Sequence, residues 1–176
     1  SGLVYVPGIF TPPGEVEALG AVAGAMGGMY QSHMRNEAAG VLDSVRETIA
    51  VGEKGHMPTQ VTHHKIIGTG NWGKSTETLR LVAEARARGV DVTIDQYPYT
   101  ASATSISVLL PPWALEGTSA QVVARIKDPA VQGMLSSWIA AHRHLRLGAL
   151  CGERLVLFES QTTRAVAGIL KARGLK

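Results

Sequence analysis

Three short stretches of the chain carry side chains able to do chemistry, and they recur at regular intervals. "YQSHMRNE" holds His33, Arg35 and Glu37, "VTHHKII" holds His63, His64 and Lys65, and "DVTIDQYPYT" holds Asp95, Tyr97 and Tyr99. Each group closes an apolar or alternating run that reads as a β-strand. In parallel α/β folds ligands gather at the C-terminal ends of strands. One rim would therefore receive two or three imidazoles, two cations, a carboxylate and two phenols. Adjacent parallel strands stand about 5 Å apart, and neutral imidazoles at that separation suit a zinc-type ion. A buried core histidine is the ordinary alternative for any one of them. Corresponding places on successive strands favour the metal.

A fourth stretch, "GTGNWGKST" from Gly68 to Thr76, begins with the pattern G-x-x-x-x-G-K-[ST] of a phosphate-cradling loop. It follows a strand and opens the helix "STETLRLVAEARARG", where free backbone N–H groups bind anions. The same glycines could simply make a tight strand-to-helix turn. A phosphate-binding strand is apolar up to its glycine, whereas this one ends in His63, His64 and Lys65, where a phosphate needs space. A P-loop nucleotide binder stays only as a distant alternative.

The elements that must position these residues follow a rhythm. Strands are predicted near 3–6, 29–34, 58–64 and 91–97, at spacings of roughly 25 to 32 residues, each followed by a helix or loop. Pro12 and Pro13 open the first helix. The second, "AAGVLDSVRETIAVGEKG", carries Val41, Leu42, Val45 and Ile49 on one face. The third turns Leu79, Val82 and Ala83 inward and ends at Gly89. This is a pattern of parallel βα units, enough for half of a (β/α)8 barrel, which takes about 250 residues in full, or for most of an open doubly wound sheet. After "LLPPWALEG" come two short helices, the strand "RLVLF" and a last helix. Residues 118–176 read as a helical insertion or appendage behind a partial barrel over 1–117. His142 and His144 alternate in a helix, where i and i+2 diverge, so they read as a solvated helix end.

Bulk properties agree with one ordinary α/β domain. The chain has 176 residues, 45% hydrophobic and 18% charged, which supports a core and argues against disorder. Cys151 is the single cysteine; no intrachain disulfide can form, and a reducing, cytoplasmic location is expected. No apolar run approaches a membrane span of roughly 20 residues. Residues 1–124 carry a net −3 and residues 125–176 a net +6. The basic residues lie along amphipathic segments without interleaved aromatics, a solvated face and not a nucleic-acid surface. The opening "SGLVYV" lacks an initiator methionine and is read as a cut end, so a piece of a longer chain is expected.

Together "GLVYVPG", "YQSHMRNE", "VTHHKIIGTGNWGKS", "DVTIDQYPYTAS" and "LLPPWA" resemble the N-acyl-D-amino-acid deacylases (D-aminoacylases) of the amidohydrolase superfamily. The likeness covers roughly residues 2–117 in matching order and fades after about residue 130. It implies a TIM-like barrel hydrolase holding one or two zinc ions, in which water activated on the metal attacks the acyl carbonyl of an N-acyl-D-amino acid. It implies that His33 and His63 are metal ligands, that Lys65 and Tyr97 contact substrate, and that His64 is a supporting neighbour, with Arg35 and Glu37 beside them on the rim. It also implies that the glycine-rich turn after the histidines is a substrate-rim loop that does not use ATP.

The family pattern also has an H-x-H metal motif on the first strand, a ligand cysteine soon after it and a catalytic aspartate on the last strand; none is found here, and Cys151 lies too far downstream. The chain thus resembles the middle of the barrel, and its catalytic aspartate is not within it. Two functions follow: part of a deacylase, or a non-catalytic fragment or binding module of the same descent. Either leaves open edges, so self-association or completing chain segments are expected.

Overall fold

The computed structural model describes residues 2–99, 101–141, 146–151 and 154–158. They form two compact units, one of residues up to Thr100 and one of residues Ala101–Glu159. His142 and His144 lie outside the described residues.

The first unit is built on three parallel strands in sequence order: β1 (Tyr30–Ser32), β2 (Thr59–Val61) and β3 (Val92–Ile94). Helix α1 (Pro13–Ala25) precedes β1, α2 (Val41–Gly55) links β1 to β2, and α3 (Ser75–Ala87) links β2 to β3. The predicted βα rhythm and parallel sense hold for these three. Tyr30, Ser32, Thr59, Val61 and Val92 are buried on one face, as strand period two dictates. That face packs on α2 and α3 through a core of Met34, Val41, Val45, Ile49, Val61, Ile66, Val82, Ala85 and Val92. Gln31, Gln60 and Thr93 alternate onto the other face, which is polar.

The strand expected over residues 3–6 does not form. Contact with β1 is limited to one parallel bridge, Gly2 to His33, with Leu3 N–H donating to the His33 carbonyl at 3.1 Å. Tyr5 N–H then turns back onto the Gly2 carbonyl at 3.1 Å. Pro7, which has no N–H to give a ladder, leads into a single 3-10 turn at Gly8–Phe10. A second difference is the rotation of α3. Thr78, Val82 and Ala85 are its buried residues, while Leu79 is 53% exposed and Ala83 also faces outward. The physical cause is polar: His64 reaches Thr78 Oγ1 at 2.8 Å and draws that side of the helix onto the sheet.

The second unit holds the two expected helices, α4 (Ser119–Lys127) and α5 (Pro129–Ala141). The first begins with a capping box, Thr118 and Gln121 satisfying each other's backbone N–H groups. The remainder is not helical throughout. β5 (Arg146–Cys151) and β6 (Arg154–Phe158) form an antiparallel hairpin, and β6 also pairs antiparallel with β4 (Ala101–Ser105). The strand at "RLVLF" was legible from its apolar run; its partners were not, because β4 lies some fifty residues upstream. None of the helices among the described residues is long and apolar enough to cross a membrane.

Candidate metal and substrate site

His33 follows β1 directly and keeps its alternation. Ser32 and Met34 are buried in the core, so His33 lies on the polar face. His63 follows β2 and arrives beside it. The rings stand 4.5 Å apart between centroids, tilted by 39°, with His33 Nδ1 in direct contact with His63 Nε2. The two imidazoles thus share one face of the sheet and turn ring nitrogens toward each other. Two ligands of one tetrahedral ion, each about 2.0–2.1 Å from it, stand farther apart than this contact, so an ion between them requires the rings to separate.

Behind His63 sits a buried charge cluster. Glu37 Oε1 lies 3.1 Å from His63 Nδ1 and 2.7 Å from Lys65 Nζ. Lys65 Nζ also stands 2.8 Å from His63 Nδ1 and 3.3 Å from the His63 carbonyl. Burial opposes ionisation of Glu37, but hydrogen bonds from His63 and Lys65 overcome it and hold its carboxyl below the usual range. Burial lowers Lys65 from the ordinary lysine value despite Glu37. Burial, then the neighbouring His63, lower His33 and favour its neutral form, the form a metal ligand needs. The Tyr97 ring completes the group, 6.2 Å from the His63 ring and 5.7 Å from Lys65 Nζ. His33, Glu37, His63, Lys65 and Tyr97 are therefore brought together.

Two of the predicted rim residues are engaged elsewhere. Arg35 forks onto Glu47 of α2 at 2.7 and 3.1 Å and donates to the Gly8 and Ile9 carbonyls at 3.2 and 2.8 Å. Its hydrogen bond with Glu47 raises its already high pKa. It is an anchor for the N-terminal loop. His64 is 2% exposed and turned into the core on Thr78, where burial lowers its pKa. It supports the packing of α3 and does not face His33. Two further residues bear on the site: Tyr5, for which the sequence held no signal, and Asp95, named above at its strand end. Tyr5 presents an edge to the His33 ring at 5.2 Å. Asp95 accepts from the His63 backbone N–H and from Gln60 through its two carboxylate oxygens.

The glycine-rich loop closes on itself. Thr69–Asn71 form a 3-10 turn, α3 begins at Ser75, and Lys74 Nζ donates to Asn71 Oδ1 at 3.0 Å and to the Ala39 carbonyl at 3.1 Å. The lysine that a P-loop directs at phosphates is tied to its own loop and to the start of α2.

Parallel βα units with imidazoles converging at strand ends define an α/β protein with a candidate metal site. No family model matches the chain. An N-acyl-D-glutamate deacylase from Alcaligenes xylosoxydans xylosoxydans is 38% identical over 141 residues, 80% of this chain and 28% of that protein. The crystal structure of an N-acyl-D-glutamate deacylase from Bordetella bronchiseptica, complexed with zinc and a phosphonate mimic of the tetrahedral intermediate, matches with a TM-score of 0.65 at 28% identity. That match covers 96% of this chain and 36% of the other. A D-aminoacylase crystal structure that defines a subset of amidohydrolases matches with a TM-score of 0.62 at 25% identity, covering 96% of this chain and 35% of the other. The chain is thus similar to N-acyl-D-amino-acid deacylases of the amidohydrolase superfamily, of whose length it spans about a third.

Proposed function

We propose that this chain is part of a metal-dependent deacylase that hydrolyses the amide bond of N-acyl-D-amino acids. The observation that carries the reading is the meeting of His33 and His63. Two imidazoles from the ends of adjacent parallel strands face each other, and one of them rests its far nitrogen on a buried carboxylate. A carboxylate behind a metal-binding imidazole fixes its tautomer and orientation. In the tautomer whose Nδ1–H donates to Glu37, the Nε2 lone pair of His63 would point toward His33. The two nitrogens fit part of a donor set for zinc, in one or two ions. When bound, the metal would polarise the acyl carbonyl and lower the pKa of a water. His33 and His63 would hold it, Glu37 would orient His63, and Lys65 and Tyr97 would meet the substrate, Lys65 offering a point charge to a carboxylate. The complete barrel, of which residues 1–117 would be about half, would supply the remaining ligands and the proton-accepting aspartate. A small-molecule substrate, a cytoplasmic location and completing chain segments or self-association belong to the same reading.

The second reading is a non-catalytic module of this descent. Among the described residues no group of three or more His, Cys, Asp and Glu side chains converges as a metal site. Zinc titration followed by calorimetry separates the readings at the site itself. Weak binding that disappears in both His33→Ala and His63→Ala, but not in His64→Ala, supports the shared site. Zinc uptake unaffected by either of the first two substitutions overturns it. Hydrolysis of N-acyl-D-amino acids by the full-length protein, lost on the same substitutions, then distinguishes a deacylase from a binding module.

A further inference from the structure

We infer that Asp95 is a positioning residue that directs His63 to the site and His64 to the core; this rests on the site reading above. In β2 the odd-numbered residues are the buried ones: Thr59 and Val61 are 1% and 0% exposed, facing the helices. Continued alternation would bury His63 and send His64 to the polar face beside His33. The reverse is observed, with His64 buried on Thr78 and His63 against His33. The register of faces slips by one between Val61 and His64.

The slip occurs at His63 itself, whose φ of 39° lies in the left-handed region. That region is uncommon for a residue with a side chain and persists only where surroundings enforce it. The enforcing group is a single residue just past the end of the neighbouring strand β3. Asp95 Oδ1 accepts from the His63 backbone N–H, and its other carboxylate oxygen accepts from Gln60 Nε2. Its main chain completes the clasp, the carbonyl accepting from His64 N–H at 2.9 Å and its own N–H donating to the Val61 carbonyl at 3.3 Å. Residues 60 to 64 are thus held from both ends by Asp95, and the carboxylate holds the point of reversal. Without an acceptor there, extended backbone becomes the favoured conformation for residue 63. Extension turns its ring away from His33 and Glu37.

The test compares Asp95→Ala with Asp95→Asn in the whole chain. The amide variant keeps a carbonyl acceptor for the His63 N–H, and a flipped Gln60 amide can meet its NH2. In metal-free protein, proton NMR should show the His33–His63 ring contact in wild type and in Asp95→Asn. In Asp95→Ala it should be lost, with the His63 amide proton moving upfield. Zinc affinity should fall by about tenfold or more in Asp95→Ala, the size of effect known for residues that orient ligands, and recover in Asp95→Asn. A folded Asp95→Ala that keeps the ring contact overturns the inference. Should that variant not fold, Asp95→Asn decides: retention of the contact and amide shift supports the clasp, and their loss overturns it. If wild type takes up no zinc, the metal reading fails alone, and the ring contact still decides the role of Asp95.

Discussion

Glu37 and Lys65 form a buried ion pair, with Nζ 2.7 Å from Oε1 and side chains 7% and 9% exposed for the lysine and the glutamate. The lysine's charge is tolerated in the core because that carboxylate is beside it, and the same oxygen serves His63 Nδ1 at 3.1 Å. The pair therefore ties the folding of the rim to the orientation of an imidazole. Removing one partner of a buried pair leaves an uncompensated charge. Glu37→Ala should destabilise the chain by about 3–5 kcal/mol, read as a shift in the urea midpoint. Lys65→Met with Glu37→Gln together should cost less than Glu37→Ala alone. A larger loss in the double variant would show that the pair, and not its desolvation, dominates.

Arg35 should behave as a structural anchor. It joins the loop carbonyls of Gly8 and Ile9 to Glu47, four contacts that a lysine cannot reproduce because its ammonium lacks a planar fork. Arg35→Lys and Arg35→Ala should both speed proteolytic cleavage near residues 5–11 and cost about 2 kcal/mol, the scale of hydrogen bonds to charged groups. Limited proteolysis with mass spectrometry checks the site of cutting. Unchanged cleavage in both variants would reject the anchor.

Helices α1 and α2 approach closely where Gly24 meets Gly55. A Cβ built on Gly24 would stand 1.9 Å from the Gly55 carbonyl oxygen, and the obstacle is backbone that cannot rotate away. Gly24→Ala should force the helices apart at a cost of about 1–3 kcal/mol. Gly14 lies in the same helix with nothing within 4 Å of its Cβ position. Gly14→Ala should be neutral or slightly stabilising, by up to about 1 kcal/mol, because alanine favours helix. Thermal melts should show a clear drop for Gly24→Ala and no drop for Gly14→Ala.

Lys74 is held by Asn71 and the Ala39 carbonyl, so ATP or GTP with magnesium should not raise the melting temperature at millimolar concentration. Ligand linkage makes even modest affinity visible in such a scan. A clear rise, abolished in Lys74→Ala, would restore the nucleotide-binding reading of the loop.

The Gly68–Thr76 match shows how far a motif reaches. Its glycines did mark a strand-to-helix connection, with Gly68 at φ 86° and Gly73 at φ 99°, because those backbone shapes are written in residue type. Where Lys74 points depends on Ala39, 35 positions away, and no local pattern encodes that. The same holds for Arg35. Its place after β1 was legible, but its direction was settled by Glu47 on α2 and by the loop carbonyls it reaches across 26 and 27 positions.

The sequence by itself determined the βα rhythm, the parallel sense of β1, β2 and β3, and the arrival of His33 and the His63–His64 pair at neighbouring strand ends. Those features follow from period-two alternation and from the length of chain a crossover requires, both local quantities. Which histidine of the pair faces His33 was decided only in three dimensions. Alternation along β2 favours His64; a carboxylate 32 positions downstream and a hydroxyl on α3 reverse the choice. The pairing of β6 with β4 and the buried face of α3 were settled in the same way, by partners distant in sequence. Hydrogen bonds and buried charges are satisfied by whichever groups the fold brings near, and that proximity exists only once the chain is folded.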